Sequence, residues 1–543
     1  MRLLPQLTPV NEWFWTSGAD GWLRIQGCGD CGQLVHPPAP ICPTCRSANR
    51  VHTEVSGKAV VAGFTVNHQP WLPGFDPPYA VANVALAEDP SVHLTTNIVE
   101  CDPTDVHVGM EVEVVFEHDD DVWLPLFRPT GRTLDNPVPE PARPTPRPPV
   151  SDDRFEHRAI LSGIGRSQIG RRLLVDPLSL TMDACLAAIA DAGLTVDDID
   201  GLSTYPGSAM AGMGEGGVTP VEEALRIQPT WINGGGDLPG PGGSLIAAML
   251  AVASGLCRHV LVFRTVWPTT HGAWGISDGG GSRRVSEINS LWRAPFGAIS
   301  AANWIGVNAN QYFHRYGATR EMLGWVAVNE RANAARNPAA IYRDPMTLDD
   351  YFNARMITTP FGLYDCDVPC DAAVAVIVSA ADCAPDLPHV AVGVEAVGTQ
   401  ILERISWDQD TITHEPQVLG QSAHLWTRSR LTPADVDLAL LYDGFTFNAI
   451  SWLEGLGFCG LGEAQDWLDG GKRIALGGEL PVNTHGGQLS EGRTHGFGFI
   501  YEAVTQLRHA AGERQVAGAE TAVMTSGGGT PSSVMLLTRG TVS

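Results

Sequence analysis

Hydrophobic and polar positions follow a two-residue period through much of the first quarter of the chain. Five short runs there alternate or are rich in β-branched residues, and clusters of Pro, Gly and Asp separate them. The runs are Ala59–Val66, Ala80–Leu86, His93–Val99, Glu111–Phe116 and Val122–Phe127. Five strands of this length, punctuated by turn residues, predict a small β-barrel.

From about residue 157 the pattern changes to an alternation of strand-like and helix-like segments. Ala159–Ile164 and His259–Phe263 are short apolar runs typical of buried strands. Leu178–Ala192 has apolar positions at helical spacing and ends at a glycine, and Ser244–Ala253 is a small-residue apolar helix. Alternating strands and helices predict a layered α/β fold.

An internal repeat divides this second unit into two halves. Leu194–Asp200 is Leu-Thr-Val-Asp-Asp-Ile-Asp, and Leu431–Asp437 is Leu-Thr-Pro-Ala-Asp-Val-Asp. A tyrosine follows the last aspartate by five residues in each copy, at Tyr205 and Tyr442, and a helix-length segment precedes both. The repeat predicts a duplicated α/β unit with halves of about 157–382 and 388–543.

A proline-rich stretch marks the clearest boundary in the chain. Eight of the 21 residues from Pro129 to Pro149 are proline, and no apolar periodicity runs through them. Such a composition indicates an extended, semi-rigid linker. We therefore expect an N-terminal helix and metal-binding segment at 1–50, a barrel at 51–128, a linker at 129–152 and an α/β domain at 153–543.

The composition removes several classes of function. Sixty acidic residues against 35 basic ones give a net charge of −25, which excludes a nucleic-acid interface because that requires a basic face. The longest apolar run, about Leu245 to Leu256, is too short to span a bilayer. We expect no secretory signal at the N-terminus and no disulfide framework among the 11 cysteines. We expect a cytoplasmic protein that does not bind membranes.

Four of the cysteines have metal-ligand spacing. They form two CxxC pairs, Cys28-Gly-Asp-Cys31 and Cys42-Pro-Thr-Cys45. Four thiolates on two tight turns suit tetrahedral Zn²⁺ and leave no open coordination position, so this zinc would be structural. The alternative is a set of buried thiols without a metal. The paired spacing favours zinc.

The N-terminal region from about Trp13 to Arg128 resembles the rubredoxin-like zinc ribbon and OB-fold proteins that accompany thiolase-like enzymes acting on acyl-CoA. The two CxxC pairs and the Val55-Ser-Gly-Lys-Ala-Val-Val stretch carry this resemblance. It implies that the predicted barrel is a small OB-type barrel and that the metal is a structural Zn²⁺.

The second unit resembles the thiolase superfamily over nearly all of residues 157–543. Three stretches carry the match: Tyr442-Asp-Gly-Phe445, the Asn483–Gly496 segment and Thr525-Ser-Gly-Gly-Gly529. The resemblance implies a duplicated thiolase-like layered α/β/α/β/α fold.

The chain lacks the residues on which thiolase chemistry depends. The segment 234–244, which corresponds to the turn of the acylated cysteine, contains no cysteine, and Gly240 stands at our estimate of its position. Arg493 replaces the activating histidine and Thr525 replaces the second catalytic cysteine. Without a thiolate the acyl-enzyme route fails.

One subgroup of the superfamily, the lipid-transfer-protein-like aldolases of steroid side-chain degradation, is similar to this chain in the same respects. The shared motifs are Leu441–Thr446, Leu456–Gly460 and Asn483–Leu489. This similarity implies retro-aldol cleavage of a β-hydroxyacyl-CoA, with coenzyme A as part of the substrate. It also implies a homodimer through the sheet edge of the first half, and a complex with an upstream hydratase or a downstream dehydrogenase. Some members carry a second catalytic tyrosine where this chain has Arg493.

A retro-aldol reaction needs a base for the β-hydroxyl and donors for the thioester enolate. Schiff-base chemistry is disfavoured because the chain has only two lysines, Lys58 in the barrel and Lys472 in a Gly-rich loop. The candidate catalytic residues are Tyr442, Arg493, His485 and His495. The candidate substrate-binding residues are Gly527, Gly528, Gly529 and Ser244.

Arg493 could lower the pKa of Tyr442 or hold the enolate oxygen. The structural alternatives are a core-capping tyrosine, an internal ion pair for the arginine and hydrogen-bonded core histidines. Two other functions stay open at this point. One is a thiolase-like acyltransferase with a non-cysteine nucleophile such as Ser244, and the other is a non-catalytic acyl-CoA or lipid-binding protein.

Overall fold

The computed structural model describes most of the 543 residues. The described ranges are 2–72, 75–134, 138–140, 145–207, 210–235, 240–276, 283–286, 288–404, 406, 408–409, 411–527 and 532–542. No helix in those ranges has both the length and the apolar character that a membrane-spanning helix needs.

The N-terminal unit consists of a small three-stranded sheet and a closed barrel. Its elements are β1 (Leu4–Pro5), α1 (Glu12–Trp15), β2 (Leu23–Cys28), β3 (Leu34–Val35), β4 (Arg50–Val55), β5 (Lys58–Asn67), β6 (Tyr79–Leu86), β7 (His93–Ile98), β8 (Met110–Asp119) and β9 (Val122–Thr133). The small sheet has the order β3-β2-β4. The barrel has the order β5-β6-β7-β9-β8, and pairing of β5 with β8 closes it. The five predicted barrel strands are therefore all present.

The C-terminal unit alternates strands and helices in both halves. Its first half contains β10 (Ala159–Arg166), α2 (Pro177–Asp191), β11 (Gly201–Thr204), α3 (Val218–Leu225), β12 (Trp231–Gly234), α4 (Gly240–Ala253), β13 (His259–Val266), α5 (Pro268–Ala273), β14 (Arg284–Val285), α6 (Ile288–Leu291), α7 (Ala301–Tyr316), α8 (Arg320–Ala334), α9 (Leu348–Asn353), β15 (Met356–Thr358), β16 (Phe361–Gly362) and β17 (Ala372–Ala380). Its second half contains β18 (Val392–Gly398), α10 (Val418–Arg428), β19 (Leu438–Leu440), α11 (Thr446–Gly455), α12 (Ala464–Trp467), α13 (Phe497–Leu507), β20 (Thr521–Ser526) and β21 (Ser533–Arg539).

A nine-stranded sheet runs through both halves in the order β12-β11-β13-β17-β10-β18-β21-β20-β19. The antiparallel pair β10–β18 lies at the junction of the halves. On either side of it the strand order is the same, with β17, β13 and β11 matching β21, β20 and β19. This arrangement confirms the predicted duplication.

The two copies of the repeated motif make the same hydrogen bonds. Thr195 and Thr432 each form a capping box with the aspartate three residues further on. The carboxylates of Asp200 and Asp437 each accept backbone N–H groups at the start of the neighbouring strand, β13 and β20 respectively. The repeat therefore encodes the turn that leads into a parallel strand, β11 in one half and β19 in the other.

Helix α7 packs directly against the barrel. Gly63 lies at a register shift in β5, and a Cβ atom there would come within 2.7 Å of the Val307 side chain on α7. The glycine therefore permits the close approach of the helix. Strand β15 also pairs with β5, through Thr358 opposite Asn67, so a strand of the α/β unit extends the barrel sheet.

The proline-rich segment lies against both units where it is described. Strand β9 continues to Thr133, beyond the start of the predicted linker at Pro129. Val138 is buried with Ala62 and Ala85 of the barrel and Ile412 of the α/β unit. This segment is anchored to the surface of both units.

Candidate functional site

The four cysteines with metal-ligand spacing come together in the N-terminal unit. Their sulfur atoms all lie within 4.8 Å of one another, with 3.5 Å between Cys28 and Cys45 and 3.6 Å between Cys31 and Cys42. Sulfur atoms bound to one tetrahedral zinc at roughly 2.3 Å have separations close to these. The four residues fit a structural Zn²⁺ and leave no position for a substrate.

The backbone forms the same turn around each cysteine pair. The carbonyl groups of Cys28 and Cys42 accept hydrogen bonds from the N–H groups of Gly32 and Arg46, four residues later. Gly32 and Arg46 both have positive φ, of 76° and 64°. These turns direct the thiols of both pairs toward one cluster.

A separate cavity of about 390 Å³ lies in the α/β unit, between the N-terminus of α7 and the loops that follow β19 and precede α13. Three of the four predicted catalytic residues line it, Tyr442, Arg493 and His495. The remaining described lining residues are Ser300, Ala301, Ala302, Ile305, Ile357, Cys366, Asp367, Gly444, Phe445 and Asn448. The cavity is our candidate active site.

Tyr442 lies two residues beyond β19 and is 7% exposed. Its backbone N–H donates to Thr525 Oγ1 at 2.7 Å, so the threonine that replaces a thiolase cysteine positions the tyrosine. Burial raises the pKa of Tyr442, and Asp367 and Glu415 raise it further. Arg493 lowers this pKa, as predicted, but burial outweighs the effect. The phenol is therefore protonated at neutral pH and carries an O–H group that can donate a hydrogen bond.

Arg493 forms an ion pair with Asp367 at the cavity wall. The Nη1 atom of Arg493 lies 3.5 Å from Oδ1 of Asp367. Burial raises the pKa of Asp367 to about 6, and Arg493 limits that rise. The neighbouring charge of Asp367 raises the pKa of Arg493, so the guanidinium stays cationic. This ion pair was the structural alternative considered for Arg493, yet both partners line the cavity.

His495 receives a hydrogen bond from a buried arginine. Nη2 of Arg264 lies 2.6 Å from Nδ1 of His495. Because a guanidinium has no acceptor, Nδ1 must carry the lone pair and the proton of the neutral ring lies on Nε2. Burial and the charges of Arg264 and Arg493 lower the pKa of His495 well below its usual range. The imidazole is neutral, and its one N–H donor is Nε2–H.

Arg264 is 2% exposed and lies near the end of β13. One guanidinium nitrogen donates to the Tyr205 carbonyl oxygen. Burial lowers the pKa of Arg264 to about 10, so the group is still charged at neutral pH. Sequence reasoning missed this residue. The signal for it is an arginine inside the apolar run His259–Val266, where a charge requires a partner.

His485 and Ser244 are not among the described residues that line the cavity. His485 is buried against Phe499, with ring centroids 5.3 Å apart, and burial lowers its pKa to about 4. Ser244 is also buried, and its carbonyl oxygen accepts a hydrogen bond from Ser203. Both side chains therefore pack within the fold. His485 differs from the hydrogen-bonded core histidine considered as the alternative, because its Nδ1 has no hydrogen-bond partner among the described residues.

The glycines predicted to bind substrate follow β20. Gly527 has a φ of 92° and is not among the described lining residues. Gly528 and Gly529 lie outside the described residues. Gly240, our estimate for the position of the lost nucleophile, is the first residue of α4.

Sequence reasoning also missed two residues of the loop before β17. Cys366 and Asp367 line the cavity, although they lie far in sequence from the recognised motifs. Burial raises the pKa of the Cys366 thiol well above its usual range, so it does not supply the missing thiolate. Asp367 is the one acidic residue among the described lining residues.

Three family models match separate parts of the chain. The thiolase C-terminal domain-like model matches residues 402–539. The rubredoxin-like zinc ribbon of ChsH2 matches residues 15–49, and the C-terminal OB-fold domain of ChsH2 matches residues 52–117. The zinc ribbon and the OB-type barrel are thus both confirmed.

Three curated proteins show what this chain resembles. The steroid side-chain-cleaving aldolase of Thermomonospora curvata is 34% identical over 70% of this chain and 97% of its own length. The 17-hydroxy-3-oxo-4-pregnene-20-carboxyl-CoA lyase of Mycobacterium tuberculosis is 35% identical over 70% of this chain and 99% of its own. A probable enoyl-CoA hydratase alpha subunit of T. curvata is 36% identical over 24% of this chain and 40% of its own.

A solved structure gives the same result. The Ltp2-ChsH2(DUF35) aldolase superposes with a TM-score of 0.63 and is 33% identical over 71% of this chain and 99% of that one. The fold and the two aldolase relatives agree with the Tyr442 motif and with the missing thiolase cysteines. The chain therefore belongs to the steroid side-chain-cleaving aldolase family of the thiolase superfamily, a family of carbon–carbon lyases, and it carries the zinc ribbon and OB-fold in the same polypeptide.

Proposed function

We propose that this protein cleaves the carbon–carbon bond between the α- and β-carbons of a β-hydroxyacyl-CoA. The products would be a ketone or an aldehyde and a shortened acyl-CoA, and no cysteine nucleophile would take part. The observation that carries the proposal is the composition of the cavity. It brings together Tyr442, Arg493 and His495 as donors, while the thiol of Cys366 has a raised pKa and stays protonated.

The substrate we propose is the CoA ester of a steroid side chain with a tertiary hydroxyl at the β-carbon. The names of both aldolase relatives support this class. The compound 17-hydroxy-3-oxo-4-pregnene-20-carboxyl-CoA, which names the M. tuberculosis relative, is the first substrate to test.

The donors in the cavity suit the enolate that forms when the bond breaks. The thioester oxygen gains negative charge at that step, and preorganised donors lower the barrier most where charge develops. We assign this role to the phenolic hydroxyl of Tyr442 and to Nε2–H of His495. The cation of Arg493 adds to the positive potential around the enolate. His485 drops out of our catalytic assignment because it packs in the core.

Two alternative functions are less well supported. An acyltransferase would need an activated nucleophile, and Ser244 is buried away from the described cavity lining. A non-catalytic acyl-CoA or lipid-binding protein would have no need for an arginine–carboxylate pair and a histidine of fixed tautomer in its cavity. We therefore favour the lyase.

A direct assay tests the proposal. The purified protein is incubated with 17-hydroxy-3-oxo-4-pregnene-20-carboxyl-CoA, and mass spectrometry follows the CoA esters and the released steroid ketone. A CoA ester shortened by the steroid nucleus, in equal amount to the ketone, is the expected result. Bound but intact ester would favour the binding protein, and transfer of the acyl group to an added thiol would favour the acyltransferase.

We also propose that the protein forms a homodimer and associates with a hydratase. Strand β12 ends the nine-stranded sheet, and Ile232 on it is 56% exposed. An unpaired edge strand with an exposed apolar side chain favours pairing with another copy. The similarity to a hydratase subunit supports an upstream hydratase as a second partner. A downstream dehydrogenase stays a prediction from family resemblance.

A further inference from the structure

The loop that carries Asp367 is fixed between the two motifs that form the cavity. The N–H of Asp367 donates to the Gly444 carbonyl at 3.1 Å, in the turn that begins at Tyr442. Next along the chain, the carbonyl of Val368 accepts the N–H of Arg493 at 2.8 Å. The side chain of Asp367 is 16% exposed, and it lines the cavity. Backbone hydrogen bonds thus hold this carboxylate between Tyr442 and Arg493.

A retro-aldol reaction requires an acceptor for the β-hydroxyl proton, and the other polar groups of the described lining do not supply one. Tyr442 is protonated at neutral pH, and an arginine has no acceptor. The lone pair of His495 is occupied by Arg264 at 2.6 Å. The Ser300 hydroxyl accepts the N–H of Ala302, as the N-cap of α7. The side-chain oxygen of Asn448 accepts the N–H of Phe445 at 2.7 Å, and an amide is not a base at neutral pH. The Cys366 thiol stays protonated because burial raises its pKa. The carboxylate of Asp367 is the acceptor that remains.

We propose that Asp367 takes the proton from the β-hydroxyl of the substrate. This inference rests on the proposed lyase function and assigns its base. It also divides the work in the cavity between one acceptor, Asp367, and two donors, Tyr442 and His495.

The proposed reaction needs no groups other than Asp367, the donors in the cavity and the substrate to account for its proton and its electron pair. Asp367 accepts the hydroxyl proton, the oxygen forms a double bond to the β-carbon, and the α–β carbon bond breaks. Its electron pair passes to the thioester as an enolate, whose oxygen the donors hold. The protonated Asp367 then returns the proton to the α-carbon, giving the shortened acyl-CoA without any net oxidation or reduction.

The charges around Asp367 suit a base that works near neutral pH. The cation of Arg493 pairs with it, and the carboxyl of Asp443, the hydroxyl of Tyr442 and the thiols of Cys366 and Cys370 interact with it electrostatically. Burial and Asp443 raise the pKa of Asp367 to about 6, whereas Arg493 opposes the rise. Since the base must be ionised, kcat/KM should fall as the pH drops below about 6.

The first test replaces the carboxylate by its uncharged isostere. Asp367→Asn should lower kcat for 17-hydroxy-3-oxo-4-pregnene-20-carboxyl-CoA by about 10²–10⁴-fold, the usual contribution of general base catalysis. Binding of the corresponding CoA ester without the 17-hydroxyl should stay within about threefold, because no proton is removed from it. Asp197→Asn, at an exposed carboxylate of the repeat motif, is the matched control and should keep full activity.

The second test separates a base from a mere partner of Arg493. Arg493→Gln removes the cation that holds the pKa of Asp367 down, so the acidic limb of the pH profile should move to higher pH. Asp367→Asn should abolish that limb in its residual activity. If both variants lose the same activity and both keep the wild-type limb, Asp367 only anchors Arg493 and the assignment is wrong.

Two further outcomes would overturn the assignment in different ways. Asp367→Asn with more than a tenth of wild-type kcat would reject the base but leave the lyase function standing. No cleavage by the wild-type protein would reject both. A thermal melt of each variant identifies a folding defect, and the shift of the limb in Arg493→Gln tests the base even if Asp367→Asn does not fold.

Discussion

At the scale of single residues, burial decides the protonation states in the cavity. It raises the pKa of Tyr442 and lowers that of His495, so both side chains are neutral donors at neutral pH. The same burial raises the pKa of Asp367 only to about 6, because Arg493 stabilises the carboxylate. The cavity thus combines neutral donors with an ionised acceptor, as expected for a reaction that forms an enolate.

The first prediction concerns the hydroxyl of Tyr442. Tyr442→Phe removes one oxygen atom and keeps the ring, and the backbone hydrogen bond to Thr525 is unaffected. Steady-state kinetics should show a loss of kcat of at least about 10²-fold. The free energy of unfolding should change by no more than about 1 kcal/mol, the net worth of one hydrogen bond. Full kcat in this variant would remove Tyr442 from the mechanism.

A second prediction concerns the thiol in the cavity wall. Burial raises the pKa of Cys366, and the thiol contacts the Gly362 carbonyl at 3.5 Å. A thiol without thiolate character is a poor nucleophile, so Cys366→Ala should retain kcat within about threefold. Cys257→Ala, two residues before β13 and outside the described cavity lining, should likewise retain kcat. A decrease in kcat of about 100-fold in Cys366→Ala, but not in Cys257→Ala, would support covalent catalysis by Cys366.

The sequence motifs located part of the cavity. Tyr442, Arg493 and His495 were found because they stand at recognisable motif positions. Asp367 and Arg264 were missed because they come from other elements, a loop before β17 and the end of β13, and only the tertiary structure brings them to the same place. His485 was predicted from its motif position, but its ring packs against Phe499 and does not line the described cavity.

At the scale of elements, β-branched runs predicted the barrel strands to within a few residues. The largest difference is the end of β9, which runs to Thr133 rather than Phe127. Pro129, where the proline-rich segment begins, suggested an earlier end because proline weakens a strand assignment, although the predicted strand already contained Pro125. Both prolines pair in register with β8. The chain tolerates them there because the ladder does not use every N–H of an antiparallel pair.

The repeated turn provides a prediction at this scale. The Asp437 carboxylate accepts the N–H groups of Glu520 and Thr521, both at 2.8 Å. Asp437→Ala leaves these donors without their charged partner, which should cost about 1.5–3 kcal/mol in the free energy of unfolding. Chemical denaturation measures this cost.

The matching residue of the other half extends that test. Asp200 makes the corresponding bonds to Arg258 and His259, so Asp200→Ala should destabilise the protein by a similar amount. Asp197→Ala, in the same turn but exposed, should have little effect. If Asp200→Ala and Asp437→Ala lower the free energy of unfolding by clearly different amounts, the turn does not have the same role in the two halves.

At the scale of the whole molecule, the N-terminal unit is built into the α/β unit at several points. Strand β1 pairs with β14, and Arg2 donates to the Pro295 carbonyl at 3.1 Å. Two-residue strands carry no periodic pattern, so the sequence did not predict these contacts. The barrel also contacts α7, whose first turn lines the cavity. The zinc-containing unit therefore supports one wall of the candidate active site.

This connection leads to a prediction about the metal. Purified protein should contain one zinc per chain, and strong chelation should unfold the N-terminal unit because metal binding and folding are coupled in such ribbons. Cys31→Ala should lose the zinc, although Cys31 is exposed and fills no core space. Cys101→Ala, a thiol of the same unit outside the cluster, should retain it. Elemental analysis measures the zinc content of the wild-type protein and of both variants. Absence of stoichiometric metal from fresh wild-type protein would contradict the predicted zinc site.

The last prediction concerns assembly through the edge of the nine-stranded sheet. Among the described strands, β12 pairs with one partner, β11. In a symmetric dimer the same strand of both copies pairs across the two-fold axis, so each residue near the axis meets its own counterpart. Ile232→Arg would then bring two like charges together in place of two apolar side chains. Light scattering at micromolar concentration should show the wild-type protein at twice the mass of one chain and this variant at the mass of one chain. Val390→Arg, at an exposed apolar residue away from β12, should stay dimeric, and a wild-type monomer would reject the interface.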